Sequence, residues 1–201
     1  MLSSVSAAVS YEAAWTLVLL SNAPTAACAT ASTYATLLNT QLYNNVKLIV
    51  LERLEELKKK HPKILQEIMM DILRALSSPN PDICKKVLDV TMDIVTARNW
   101  TDVIATLKRE VTKTTQDNDS VESKCVVYRK MLIMAIHGCA IRFPDVAESV
   151  VHVLMDFLST DGGMQVVTFV SAFVEQYPPF CPAILSKLLG SLEYKNLLVK
   201  L

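Results

Sequence analysis

Proline punctuation constrains this chain more than any other feature. Pro24, Pro62, Pro144 and the Pro178-Pro179 pair each follow a segment of helical apolar spacing and open another, and Asn80-Pro81 does the same with a capping residue in front. Proline fits the first turn of a helix, where its missing N–H has no intrahelical partner, and is costly further inside. A chain written this way is a series of helices joined by tight turns.

The apolar spacing agrees. Between Pro62 and Leu76, one row is Ile64, Ile68, Ile72 and Leu76, and the row beside it is Leu65, Met69 and Leu73. So wide a stripe marks a helix covered by several neighbours. The segment before it carries Val46, Val50, Leu54 and Leu57 on one face, and sets Glu55 before Lys59 and Glu56 before Lys60 in the favourable i,i+4 order on another. Asn99-Trp100-Thr101 is a weaker break, and Asp119 with Glu122 resembles a capping box. The spacing predicts ten helices, over 4–21, 24–42, 44–60, 62–77, 81–97, 101–115, 120–143, 145–159, 164–177 and 179–199, with the polar stretch Thr114 to Ser120 as the flexible link. Paired off, they make about five hairpins with a period of roughly 35 to 45 residues, in the HEAT/armadillo range. The expected fold is an all-α solenoid, one continuous segment over 1–201. A globular bundle accounts for the helices but not for the recurring helix–proline–helix unit.

Charge is distributed unevenly. The formal net charge is zero, so no chain-wide attraction to nucleic acid is expected. Glu12 is the one charged residue before Lys47, and only Glu175, Lys187, Glu193, Lys195 and Lys200 follow Gly162. Solenoid ends need polar outer faces, so these sparsely charged ends predict repeats that stack on neighbours, as in an internal piece of a longer trunk. Cys28, Cys84, Cys125, Cys139 and Cys181 show no metal-ligand spacing and predict buried free thiols in a reducing compartment. Neither a signal peptide nor an uninterrupted membrane-spanning run is visible, which predicts a soluble cytoplasmic protein.

Candidate sites are few. Lys58, Lys59, Lys60 and Lys63 form the densest basic cluster, fit to touch an acidic partner or an anionic membrane surface. The plainer reading is a solvated helix end whose lysines complement the macrodipole and pair with Glu55 and Glu56. Lys85-Lys86 and Lys108-Arg109 are thinner versions of it. His137 and Cys139 project about 200° apart on a helix and read as core residues, not as ligands of one metal. His61 closes a basic helix end, and His152 sits among valines. Asp89 and Asp93 share a helix face but have no nucleophile or pocket-forming loop beside them. Phosphate-binding glycine loops and nucleophile elbows are lacking, so neither an enzyme nor a cofactor is expected.

Several blocks carry a resemblance. Asn44 to Leu57 (NNVKLIVLERLEEL), Met70 to Leu76 (MDILRAL), Leu107 to Thr114 (LKREVTKT), Tyr128 to Ile133 (YRKMLI), Arg142 to Ala147 (RFPDVA) and Val153 to Leu158 (VLMDFL) resemble, in order, the adaptin-like trunk of coatomer beta subunits. The resemblance runs from about Tyr11 to about Tyr177. It implies a HEAT-type scaffold in the coat of vesicles moving between Golgi and endoplasmic reticulum. The implied partners are the delta, gamma and other coatomer subunits and an Arf-type small GTPase, whose contact is expected nearer the start of the full trunk. The implied location is cytoplasmic, peripheral on Golgi and vesicle membranes. Departures are Trp15 in place of a small residue, where overpacking is expected, Cys28 and Cys84 in place of Lys and Arg, Ser171 in place of Arg, and a short stretch around Gly162-Gly163. A HEAT-repeat adaptor of another class, such as a clathrin-adaptor trunk or a transport receptor, is the alternative, with a small helical enzyme behind it.

Overall fold

The computed structural model describes residues 6–116 and 122–143, together with Leu2 and isolated positions between 167 and 186. The helices expected over 145–159, 164–177 and 179–199 lie outside the described residues, apart from those isolated positions. Two compact units divide the chain, Met1–Thr106 and Leu107–Leu201.

The first unit is built from α1 (Ala7–Leu20), α2 (Pro24–Thr40), α3 (Asn44–Lys60), α4 (Pro62–Leu73), α5 (Pro81–Met92) and the start of α6 (Trp100–Gln116). Prolines stand at the first position of α2, α4 and α5, as their spacing requires. α1 and α2 form an antiparallel hairpin. The buried Thr30 hydroxyl donates to the Ala14 carbonyl at 3.0 Å, and these two residues are equally distant from the turn centre at Asn22. α2 packs against α1, α3 and α4. Its buried face is rich in small residues (Ala26, Ala27, Thr30, Ala31, Ala35), which lets neighbouring helices approach closely, while Tyr34 and Leu38 fill the remaining space.

Contacts between hairpins fix the repeat. Lys86 donates to Glu52 at 2.9 Å and Lys58 to Asp93 at 2.6 Å, so α3 and α5 run side by side at a constant offset of 34 to 35 residues. The Asn39 amide donates to the Asp71 carbonyl at 2.9 Å across 32 residues and ties α2 to the end of α4. Within the first unit α3 and α5 therefore stack on one another, as do α2 and α4, in the manner of a solenoid. Leu51, Leu54, Leu65 and Ile72 are completely buried between the layers, each contributing about 1.5–3 kcal/mol of burial free energy.

Local chemistry explains where the observed elements differ from the expected ones. α4 gives way to a short 3₁₀ turn, Arg74–Ser77, before Ser78 turns extended ahead of Pro79. In the α4 stripe Leu65, Met69, Ile72, Leu73 and Leu76 are buried, but Ile64 and Ile68 are only half-covered. α5 opens on Asn80, whose side-chain oxygen accepts the Asp82 N–H at 2.9 Å. It ends at Met92, not at residue 97. The Thr91 hydroxyl donates to the Val87 carbonyl at 2.7 Å near this end, and Ile94 and Val95 then turn into the core. Asn99 closes the following turn by accepting the Thr96 N–H at 2.7 Å, and α6 begins.

In the second unit α6 continues through Gln116, and α7 spans Glu122–Arg142. Leu132, Ile133, Ile136 and Cys139 are buried at helical spacing along α7. The proposed cap at Asp119 lies outside the described residues.

Candidate interaction surface

The basic cluster sits on a one-residue turn. α3 ends at Lys60, the His61 N–H donates to the Leu57 carbonyl at 2.8 Å, and Pro62 starts α4 immediately. The last turn of α3, with Lys58, Lys59 and Lys60, is thereby brought beside the first turn of α4, with Lys63. Lysines at the end of α3 suit the negative end of its dipole. Lys63 stands at the positive end of α4, where no acidic residue and no side-chain cap relieves it.

The four lysines do not behave alike. Lys58 is only 15% exposed in its side chain and is held across the groove by Asp93. Lys59, Lys60 and Lys63 are exposed, and among the described residues none has a carboxylate within ion-pairing distance. Glu56 does not pair with Lys60 as its spacing predicts, because Arg53 takes its carboxylate at 2.9 Å, and no ion pair joins Glu55 to Lys59. The turn is thus a patch of three exposed cations without an ion-paired carboxylate among the described residues.

Arg53 is the residue that sequence reasoning missed. Its Nε donates to the Tyr11 hydroxyl at 2.8 Å, and its guanidinium lies 3.9 Å from the centre of the Trp15 ring. Tyr11 in turn meets Tyr34 at 5.7 Å between ring centres. One side chain of α3 therefore clamps α1, with α2 behind it. Trp15 does not overpack a helix contact, as expected from its size. It is half-buried, outside the core, and the cation covers its face. The Tyr34 hydroxyl is buried and meets no partner among the described residues; burial, then the neighbouring Tyr11, pushes its pKa up. Nothing short-range in the sequence signals these contacts, since Tyr11 and Arg53 are 42 residues apart.

Other candidates are placed plainly. Asp93 is the partner of Lys58, and Asp89 is exposed. Lys86 pairs with Glu52 and Lys113 with the buried Glu110 at 2.7 Å. Cys84 is buried, its thiol donating to the Leu76 and Ser78 carbonyls at 3.5 and 3.3 Å, which ties the start of α5 to the 3₁₀ turn. Cys28 is half-exposed, against the expectation of a buried thiol, because α2 turns that side of itself outward. Cys139 is buried and its pKa is pushed up to about 11 by burial, while His137 is half-buried with its pKa lowered by the same cause. Among the described residues no group of three or more His, Cys, Asp or Glu could hold a metal ion, and no helix is long and apolar enough to cross a membrane. His152, Cys181 and the side chain of Cys125 lie outside the described residues.

Helical hairpins stacked at a fixed offset, with an exposed charged turn and no catalytic constellation among the described residues, define a helical-repeat scaffold. The family model for the adaptin N terminal region matches residues 1–197, and the chain belongs to that family. It is 49% identical over 194 residues to coatomer subunit beta-1 of Arabidopsis thaliana, covering 95% of this chain and 20% of the relative. Against coatomer subunit beta of Dictyostelium discoideum the identity is 46% over 196 residues, 96% of this chain and 21% of the relative. Against the Rattus norvegicus protein it is 43% over 194 residues, 94% and 20%. The similarity reaches further toward the C-terminus than the blocks ending near Tyr177. The chain spans about a fifth of the length of the curated relatives it matches.

Proposed function

We propose that this chain is a non-catalytic scaffold segment of a coatomer-type vesicle coat, acting in protein transport between Golgi and endoplasmic reticulum and within the Golgi. The observation that carries the reading is the match to coatomer beta subunits over 95% of the chain. The stacked hairpins supply the mechanism: a buried continuous layer holds the shape, and the outer turns and helix faces are left to bind other subunits. On this reading residues 1–201 act as one segment of the trunk. Its partners are the delta, gamma and further coatomer subunits, with an Arf-type small GTPase engaging the wider trunk. Its location is cytoplasmic and peripheral on Golgi and vesicle membranes. Lys59, Lys60 and Lys63, exposed and with Lys58 held behind them by Asp93, are the contact surface this reading offers to a partner. No cofactor takes part.

Affinity purification of the tagged chain from cells tests the assignment. Recovery of coatomer delta and gamma subunits is the expected result. Recovery of clathrin-adaptor chains in their place, with coatomer absent, overturns it.

A further inference from the structure

α7 carries apolar residues on every side, although only one side of it is packed. Leu132, Ile133, Ile136 and Cys139 are buried on that side, and Arg129 is buried with them. Polar residues belong on the opposite face of such a helix. Here that face reads Val127, Met131, Met134, Gly138 and Ile141. Val127 is 53%, Met134 54% and Ile141 63% exposed, and Met131 is half-buried. A Cβ added at Gly138 meets no atom within 4 Å, so that position in the row is open. The steps alternate between four and three residues, the 3.5-residue repeat of a seam between two helices. From Val127 to Ile141 the row runs about 21 Å at about 1.5 Å per residue, and at about 100° per residue it spans about 80° of the helix surface.

We infer that this row is one half of a heptad seam, and that it takes a partner helix whose own apolar row is bordered by acidic residues. In such a seam the charges beside the row choose the partner. Lys130 borders the row on one side and Arg142 on the other. From Ser123 to Arg142 the helix holds four basic residues and no Asp or Glu. A second copy of this chain would bring like charges to those same bordering positions, which disfavours self-pairing. A bilayer is the poorer match. A helix lying in a membrane surface buries a broad apolar face, whereas this row is the narrower strip of a two-helix contact. The row is independent of the coat assignment, since every residue in it lies on α7.

Fluorescence anisotropy with the whole chain and a labelled helical peptide tests it. The peptide has about four heptads, with isoleucine and leucine along its apolar row and glutamate at the bordering positions. A second peptide carries lysine in place of each glutamate. The glutamate peptide should bind about ten-fold tighter than the lysine one, and added salt should narrow the difference. Met134→Glu, at the centre of the row, should weaken the glutamate peptide on the order of ten-fold. Gly138→Leu should strengthen it several-fold by filling the open position, a gain that misfolding cannot produce. Lys130→Glu/Arg142→Glu should invert the preference between the two peptides, and circular dichroism checks that each variant folds. Equal binding of both peptides, binding of neither, or unchanged binding in Met134→Glu overturns the inference. So does a dimer, seen by light scattering, that is lost in Met134→Glu, which makes a second copy the occupant. Capture by phosphatidylserine vesicles with neither peptide bound overturns it in favour of a bilayer. Coatomer subunits recovered from cells with the glutamate peptide unbound retire this row alone, and peptide binding without coatomer retires the coat assignment alone.

Discussion

Arg53→Ala removes the side chain that ties α3 to α1, and its cost follows from its contacts. The hydrogen bond from a charged donor to Tyr11 is worth about 1.5 kcal/mol in a partly buried setting. The cation over Trp15 adds about 1 kcal/mol, and the pair with the exposed Glu56 at most about 0.5 kcal/mol. With the Arg53 side chain 28% exposed, solvent screening brings the expected loss to about 2 kcal/mol. For a chain of this size that is a fall in Tm of about 4–8 °C. The sharper assay is a double-mutant cycle with Arg53→Met, Trp15→Leu and the pair, followed by urea unfolding. A coupling of about 0.5–1 kcal/mol is expected. Additivity within about 0.3 kcal/mol would refute the clamp and return Trp15 to the status of a bystander.

Four other outcomes follow from the same structure. Leu54→Ala empties a fully buried position and should cost about 2–5 kcal/mol by urea midpoint, whereas Ile49→Ala, at 47% exposure, should cost under about 1 kcal/mol. Glu52 has its pKa lowered by the Lys86 hydrogen bond, so its stabilisation is present above the ordinary carboxylate pKa of 4.5 and lost as pH falls through the lower folded value. The stability gap between the parent and Glu52→Gln should therefore be open at neutral pH and close on acidification; a gap that widens in acid refutes this. Mass-spectrometric mapping of iodoacetamide labelling should find Cys28 modified in the folded chain, with Cys84 and Cys139 protected until unfolding. Tyr34→Phe should leave stability unchanged or raise it, because the hydroxyl it removes is buried without a partner among the described residues, and a calorimetric loss above about 1 kcal/mol would show a bond to that oxygen.

Helix identity and phase were legible in the sequence because both are local. The prolines at 24, 62 and 81 mark helix starts to the residue, and Val50, Leu54 and Leu57 face the core as their spacing demands. The end of α5 was not legible. Residues 93–97 keep an acceptable helical composition, and the chain leaves the helix where Ile94 and Val95 turn into the core and the Asn99 side chain closes the next turn. The lysine cluster was found by its density, but its division into one held lysine and three free ones depends on Asp93, 35 residues away. The Arg53 clamp likewise exists only once α1 and α3 are side by side. Sequence spacing reports what a helix faces, and packing decides which neighbour answers.

The nearly constant offset between paired residues has a mechanical consequence. The ties of the first unit, from Asn39 to Asp71, Lys86 to Glu52, Lys58 to Asp93 and Arg53 to Tyr11, each reach one repeat along the chain and no further. A scaffold tied only to its nearest neighbours yields piecewise: loosening one hairpin removes its own contacts and half of those beside it, while more distant hairpins keep theirs. Strain applied at one point of this unit is absorbed as a local bend between neighbouring hairpins, and neither hairpin has to come apart.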